Sequence, residues 1–338
     1  MIPSQICSHK VRIGRLKISP PLFLAPMAGL THSALRQLIM DFGGVGLLST
    51  EMLSASSLPH ENSAVSPYLI KTDRERPMSW QLLIYNENHV EKAVERLVDL
   101  GADAIDINLG CGAPKVVKKG GGVALSHDRK RLAAIVSSIK ELTELPVTVK
   151  IRLGKEKNQK EFVNWCRFLE GLGIDALYVH ARFDKEPFSR PPKWEFAAVA
   201  KEAVSIPVII NGGIFSVSQA KKCLETTRAD GLMIGRGAAS RPWIFNHIRH
   251  HLWAETSESP TLPNLSETWL RFYEYLEELF PPERRIGRLK EFTHYFSQNY
   301  AFGNRLAMTI QRSNTMTEAR IRALEFFEKN QPRSLEEE

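Results

Sequence analysis

Polar side chains recur where short apolar, β-branched runs of the sequence end. Gln81, Lys150 and His180 each lie at the end of such a run. Six further residues occupy the same kind of position: Asn108, Cys111, Arg152, Arg182, Asn211 and Arg236. In a barrel of parallel strands the C-terminal strand ends meet at one mouth, where such barrels hold their active sites. Amides, a lysine and an imidazole around one mouth suit a flat, polar heterocycle.

A flavin is a heterocycle of this kind. Its O2 and O4 edges need hydrogen-bond donors, and a cation near N1 and O2 stabilises its anionic reduced form. Lys150 is the natural candidate for that cation. The strand-end residues therefore predict a flavin site at the mouth of a barrel.

Glycine pairs follow the seventh and eighth apolar runs. They stand in Asn211-Gly212-Gly213 and in Gly235-Arg236-Gly237. Backbone amides at such glycines can approach a phosphate, and Arg236 adds a positive charge. A single pair would equally well suit a plain turn from strand to helix. Because two pairs follow the strands where barrels of this type hold phosphates, we predict a phosphate site.

Cys111 lies in NLGCGAPKVVKKGGG, a glycine-flanked loop after the fourth apolar run. Lysines in this loop give it positive potential, which favours a reactive thiol over buried packing. These lysines are Lys115, Lys118 and Lys119. The other cysteines, Cys7, Cys166 and Cys223, are widely spaced without a CxxC pair. This spacing argues against disulfides and against a metal site, and it fits a reducing cytoplasm.

Eight apolar runs alternate with amphipathic helical stretches from residue 22 to about residue 250. The runs begin at Leu22, Val45, Met78, Ala104, Pro146, Ala176, Pro207 and Gly231. Such alternation is typical of repeated βα units with a buried parallel sheet. We therefore predict an α/β fold, a (β/α)₈ or TIM barrel, over residues 1–252.

The pattern changes after His251. Residues 253–265 are rich in Ser, Thr and Pro, which predicts a linker. Helical periodicity without strands then predicts a small all-α bundle of roughly three helices in residues 266–330. Residues 331–338 are expected to form a solvated tail.

The formal net charge of +7 favours a polyanionic partner. Many cations fall in the C-terminal bundle: Arg284, Arg285, Arg288, Lys290, Arg305, Arg312, Arg320 and Arg322. The sequence has no apolar signal region and no apolar run of the roughly 20 residues that span a bilayer. We expect a soluble, cytoplasmic protein.

Taken together, the motifs resemble those of the dihydrouridine synthase family. APMAGLTHSALR resembles its first-strand motif, and NLGCGAPKVVKKGGG resembles its catalytic loop. VKIRLG, VHAR, NGGI and MIGRGAASRPWIF resemble its flavin-binding strand ends in the same order. The resemblance runs from about Ile13 to Phe245, with a weaker echo in the C-terminal helices.

The resemblance implies an FMN enzyme that uses NADPH to reduce the C5=C6 bond of uridine in tRNA. Hydride would pass from flavin N5 to uracil C6, and Cys111 would protonate C5. Residues implied to contact the flavin are Pro26, Met27, Ala28, Gln81, Asn108, Lys150 and His180, with Asn211, Gly212, Gly213, Gly235 and Arg236 at its phosphate. Residues expected to contact RNA are Lys115, Lys118, Lys119, Arg152, Arg182, Arg285, Arg288 and Lys290. We expect a monomer without metal.

The chain departs from the family pattern at Gly112, where proline is usual, and at Ala181 and Phe183, where glycine and threonine are usual. These differences bear on substrate choice more than on flavin binding. Two other functions stay open. One is an FMN barrel acting on a small molecule, such as a dihydroorotate dehydrogenase or an ene-reductase, and the other is a flavin-containing RNA-binding factor with little turnover.

Overall fold

The computed structural model describes residues 8–63, 65–253, 260 and 262–333. Its strands are β1 Val11–Ile13, β2 Leu16–Ile18, β3 Leu22–Leu24, β4 Leu48–Ser54, β5 Met78–Leu83, β6 Ala104–Asn108, β7 Val147–Arg152, β8 Ala176–His180, β9 Val208–Asn211 and β10 Gly231–Ile234.

Its α-helices are α1 Ser33–Phe42, α2 Val90–Asp99, α3 Pro114–Lys118, α4 Val123–Ser126, α5 Arg129–Leu142, α6 Gln159–Gly171, α7 Trp194–Ala203, α8 Val217–Thr227, α9 Arg236–Ser240, α10 Ile244–Trp253, α11 Leu265–Leu279, α12 Arg285–Phe296, α13 Gly303–Gln311 and α14 Met316–Lys329. Short 3₁₀ turns lie at Leu58–His60, Glu87–His89, Pro282–Arg284 and Ser297–Asn299.

Strands β3 to β10 form one parallel sheet in which sequence neighbours are spatial neighbours from β4 to β10. Strand β10 also pairs with β3, and Phe23 of β3 bridges Leu47 just before β4, so the sheet closes. The eight predicted strands and the predicted TIM barrel are confirmed. The eight C-terminal strand ends therefore surround one mouth.

Alternate residues of each strand face inside and outside the barrel. Phe23, Tyr178 and Met233 form the inner apolar cluster with Ile13 and Ile18 of the β1–β2 hairpin. At the turn of this hairpin, Gly14 lies against residues at the starts of β7 and β8. The hairpin therefore plugs the end of the barrel opposite the mouth. It was not predicted because each of its strands has only three residues.

The described part of the C-terminal region contains four α-helices, one more than the roughly three that were expected. The missed helix is α13, which has only nine residues and buries just Leu306 and Ile310 besides its first glycine. The ends of the predicted 253–265 linker belong to α10 and α11, and residues 254–259 and 261 lie outside the described part of the chain.

Two residues of the predicted tail contact the C-terminal helical region. Pro332 forms an antiparallel bridge with Tyr300, and the backbone N–H of Arg333 donates to Asn299 O at 2.9 Å. Its residues 334–338 are not among those described.

The C-terminal helices pack directly against the barrel. The Tyr275 hydroxyl on α11 donates to Asp41 of α1 at 2.7 Å. Phe272 and Phe280 enclose the buried imidazole of His32. Residues of α11 and α12 thus belong to the same apolar core as the helices around the barrel. Within the described residues, none of the helices has the length and apolarity needed to span a bilayer.

A buried ion pair anchors α1. The Arg36 guanidinium donates to Glu75, and the two side chains are 2% and 0% exposed. Glu75 also accepts from the Ser33 hydroxyl and from the Thr72 backbone N–H. Removing one partner would leave the other charge buried and unpaired, which is far more unfavourable than losing an exposed pair.

We predict that Arg36→Met lowers the free energy of unfolding by about 3–5 kcal/mol, because Glu75 would keep an uncompensated charge. The matched control is Arg76→Met, which removes the exposed pair between Arg76 and Asp103 and should change stability by less than about 1 kcal/mol. Urea denaturation followed by circular dichroism measures both. Equal losses of stability in the two variants would contradict the role given to the buried pair of Arg36 and Glu75.

Candidate active site

A cavity of about 640 Å³ opens at the mouth of the barrel. All of the residues predicted to contact the flavin or its phosphate line it. Cys111, Arg152 and Arg182 line the same cavity. The structure therefore brings together side chains from the ends of seven strands, as expected from their position in the sequence.

The floor of this cavity is organised by Asp106, which points inward from β6 and is 2% exposed. Its carboxylate accepts from the Gln81 amide at 2.6 Å and from the Thr148 hydroxyl at 2.8 Å. The Asn108 amide in turn donates to Gln81 Oε1 at 2.8 Å, and Asn108 Oδ1 accepts from the backbone N–H of Cys111 at 2.9 Å. The chain of hydrogen bonds thus runs from a buried carboxylate to the cysteine loop.

A carboxylate only accepts hydrogen bonds, so Gln81 must turn its amide nitrogen toward Asp106. Gln81 Oε1 then faces Asn108, which leaves Asn108 Oδ1 for the loop. Asp106 therefore fixes the orientation of two amides and, through them, the start of the Cys111 loop.

The Cys111 loop is closely packed behind the thiol. Cys111 O accepts from the Val123 backbone N–H at 3.0 Å. Gly122 has φ of 57°, and a Cβ there would lie 2.3 Å from Cys111 O. Only glycine fits at this position without moving the loop. Cys111 itself is half-buried at the cavity wall, beside the exposed Gly112.

Lys150 Nζ donates to Asn211 Oδ1 at 2.9 Å, and the Asn211 amide donates to Met233 O. Burial lowers the pKa of Lys150, while the nearby Asp106 carboxylate raises it and Arg152 lowers it further. Burial also raises the pKa of Asp106, which hydrogen bonds and Lys150 counteract. Each group is thus charged partly because the other is present.

His180 is a neutral imidazole with a defined tautomer. Burial lowers its pKa well below the usual value, and the neighbouring cations Lys150 and Arg152 lower it further. Arg182 Nη1 lies 3.0 Å from His180 Nε2. Because a guanidinium only donates, Nε2 accepts and the proton resides on Nδ1. His180 therefore offers an N–H donor without adding a positive charge.

Arg152 and Arg182, expected to contact RNA, are engaged within the protein. The Arg152 guanidinium donates to backbone carbonyls of the loop after β8, including Phe183 O at 2.8 Å. Arg182 is 2% exposed and donates to Arg190 O at 2.6 Å. These contacts hold the loop over the cavity, and contact of the two arginines with RNA stays a prediction.

The remaining residues expected to contact RNA lie outside the cavity. Lys115, Lys118 and Lys119 are exposed on or beside α3, next to the Cys111 loop. Arg285 donates to the carbonyls of Phe280 and Glu277. Arg288 and Lys290 are half-buried on α12. No group of three metal-ligating side chains is found among the described residues.

Sequence reasoning missed several residues at the site. Asp106 had a sequence signal, since it is a carboxylate two residues before Asn108 within an apolar strand. Phe188, whose ring stacks at 5.6 Å from His180, lies in a loop without periodicity. Glu291 and Tyr295 on α12 complete the cavity wall. Their placement depends on how α12 docks on the barrel, which the sequence pattern does not specify.

The fold and the site together define a TIM barrel of the flavin-enzyme type, with a basic mouth and a loop cysteine. The profile of the family described as dihydrouridine synthase (Dus) matches residues 23–331. The chain belongs to the dihydrouridine synthase family, which confirms the resemblance noted in its motifs.

Several relatives span most of the chain. It is 38% identical over 269 residues to tRNA-dihydrouridine synthase B of Pseudomonas aeruginosa, covering 80% of each chain. It is 32% identical over 290 residues to a probable tRNA-dihydrouridine synthase 1 of Synechocystis sp., covering 86% of this chain and 81% of the relative.

Solved structures share the barrel at low identity. 2-Naphthoyl-CoA reductase superimposes with a TM-score of 0.57 at 12% identity, covering 72% of this chain and 52% of that one. A morphinone reductase in complex with tetrahydroNAD gives 0.51 at 14% identity, covering 75% and 97%. At these identities the likeness concerns the fold alone.

We predict that Cys111 is the reactive thiol among the described cysteines. Burial raises the pKa of Cys166 and Cys223 to about 12, so both should react with iodoacetamide at least about a hundredfold more slowly than Cys111. Peptide mass mapping in a Cys7→Ser background measures this. Faster labelling of Cys166 or Cys223 than of Cys111 would contradict the site.

Proposed function

We propose that this protein reduces the C5=C6 bond of uridine in tRNA, with FMN as cofactor, NADPH as electron donor and Cys111 as proton donor. The observation that carries the proposal is the hydrogen-bonded path from Gln81 through Asn108 to the Cys111 loop. This path links Gln81 to the loop that carries Cys111, and Lys150 and His180 line the same cavity. The arrangement supports a reaction in which a flavin and a thiol act on one substrate.

The residues of the cavity fit FMN. Gln81, Lys150 and His180 supply an amide, an ammonium and a neutral N–H donor to a ring that needs them at its N1, O2 and O4 positions. Gly212 and Gly235 line the cavity beside Arg236, where backbone amides can approach a phosphate. A Cβ on Gly212 would meet His180 at 2.9 Å and one on Gly235 would meet Met27 at 3.0 Å, so the neighbouring side chains favour glycine at both positions. Bound FMN would supply hydride chemistry.

The protein's own residues account for the rest of the reaction. The C5=C6 bond of uracil is conjugated with the C4 carbonyl, so addition of hydride at C6 produces an enolate that needs an acid at C5. The Cys111 thiol would donate this proton. The Asn108 contact anchors the loop that carries this thiol at the wall of the cavity.

Reduction of a uridine in folded RNA requires that the base leave its stack, at a cost of a few kcal/mol that contacts elsewhere must offset. We propose that residues 1–252 carry catalysis and residues 266–330 bind RNA. The supporting cations are Lys115, Lys118, Lys119, Arg288 and Lys290. A cytoplasmic, monomeric state accords with this function and stays a prediction.

We predict that anaerobic addition of unmodified tRNA reoxidises the NADPH-reduced flavin, seen as recovery of absorbance near the flavin maximum. Cys111→Ala should retain the flavin but slow this step by about 10²–10⁴-fold, the usual contribution of a general acid. Cys166→Ala is the matched control and should behave as the unchanged protein. If the reduced flavin reoxidises at the same rate with and without RNA, a small-molecule substrate is favoured instead.

The Lys150 ammonium predicts a pH dependence. Its lowered pKa of about 8 means that the charge is present below about pH 8 and is lost as the pH rises through that value. Reduction of the flavin by NADPH should therefore slow above about pH 8.

Asp106→Asn removes the carboxylate that raises the pKa of Lys150, so the decline in the rate of flavin reduction should begin at a lower pH. Asp103→Asn is the same change directly before β6, and it should leave the pH of this decline unchanged. The rate profile of both variants from pH 6 to pH 10 measures the effect. If the rate declines at the same pH in Asp106→Asn as in the unchanged protein, the Lys150 ammonium is not the cause of the decline.

A further inference from the structure

A second cavity, of about 800 Å³, lies between the barrel mouth and α12. Ala28, Met52 and Glu291 line both cavities, so the second opens directly beside the first. A nucleotide adjacent to a uridine in the first cavity would therefore lie next to the second. The cavity walls carry a carboxylate, a guanidinium and an aromatic ring, supplied by Glu51, Arg288 and Tyr68.

An irregularity in β4 determines the direction of the Glu51 side chain. The pairing register with β5 shifts between Ser49 and Met52, which is the geometry of a bulge that re-aims side chains. Glu51 is 3% exposed, and its Oε1 accepts from the backbone N–H of Gly29. Its Oε2 is buried and has no hydrogen-bond partner among the described residues. A buried carboxylate oxygen in this state is an acceptor without its donor.

Arg288 lies on the opposite wall. Its Nη1 donates to Arg284 O at 2.7 Å, and its guanidinium lies over the Phe280 ring at 4.5 Å. Its Nε has no hydrogen-bond partner among the described residues. Burial raises the pKa of Glu51, and the nearby Arg288 charge partly lowers it. Tyr68 is 44% exposed and offers a ring for stacking. The cavity thus holds an unused acceptor, an unused donor and a stacking surface.

We propose that this cavity binds a guanine of the RNA substrate, the immediate neighbour of the uridine that is reduced. Guanine carries two adjacent donors, N1–H and the N2 amino group, which suit the Glu51 carboxylate. It also carries two adjacent acceptors, O6 and N7, which suit the Arg288 guanidinium. This inference rests on the proposed function, and it adds that the uridines that react are those with a guanosine neighbour.

Charge in the cavity disfavours a phosphate as its occupant. Besides Glu51, three carboxylates line it: Glu61, Glu283 and Glu291. The carboxylates outnumber the two guanidinium groups of the lining, those of Arg284 and Arg288. They would repel a phosphate group, whereas the donor edge of a base is attracted to them. A single-stranded base held by stacking and by its polar edges is the usual form of sequence reading in RNA.

The test compares tRNA carrying guanosine beside the reduced uridine with the same tRNA carrying inosine there, which lacks the N2 amino group. The unchanged protein should lose about tenfold in kcat/KM on inosine, the loss expected for a hydrogen bond to a charged acceptor. Its dissociation constant for the RNA, measured without NADPH, should rise similarly.

In Glu51→Gln the side-chain oxygen can still accept from Gly29, but an amide nitrogen replaces Oε2. The two RNAs should then react and bind equally. Glu283→Gln makes the same charge change at the exposed rim and should retain the inosine penalty.

The proposal is overturned if neither neighbour of the reduced uridine is guanosine, or if inosine has no effect on the unchanged protein. It is also overturned if Glu51→Gln keeps the penalty or changes only the KM for NADPH. Failure of the unchanged protein to form dihydrouridine in any tRNA would instead count against the proposed function itself.

Discussion

The Asp106 carboxylate accepts hydrogen bonds from Gln81 and Thr148 inside a barrel whose opposite half is filled with apolar side chains. A buried carboxylate is unfavourable unless it is hydrogen-bonded and its charge is balanced. Here both conditions are met, since Lys150 lies close enough to lower its pKa. Because the carboxylate can only accept, the orientations of Gln81 and Asn108 follow from it, and so does the anchoring of the Cys111 loop. The chemistry at the mouth depends on this one group.

The mouth combines a high density of cations with a neutral imidazole. Arg152, Arg182 and Arg236 approach the ring of Phe188 at 5.5, 6.0 and 5.0 Å. Burial lowers the pKa of all three guanidinium groups, and mutual repulsion contributes for Arg182. Backbone carbonyls of the loop after β8 offset part of this repulsion. Such a site favours anionic groups. Under the proposed function these groups are the phosphate and the reduced ring of a flavin, and the backbone of an RNA.

Local sequence signals were sufficient for the barrel and for most of the residues around its mouth. Apolar runs with polar ends predicted the eight strands, and strand ends of a closed parallel barrel must converge whatever lies between them.

Features that depend on long-range docking were not predictable in this way. Glu291 and Tyr295 reach the cavity only because α12 packs against the barrel, and Glu51 faces the second cavity because of a register shift in β4. Arg152 and Arg182 were placed at the correct strand ends, but their burial under a loop could not be read from spacing.

We propose that the protein reduces uridine within RNA at the cavity in the barrel mouth. The most direct measurement is mass spectrometry of nucleosides released from unmodified tRNA and ribosomal RNA after incubation with the purified protein, FMN and NADPH. We expect a two-dalton gain on uridine in the tRNA, dependent on NADPH and absent with Cys111→Ala at short times. Unchanged uridine in both RNAs, with FMN bound and reduced, would contradict it.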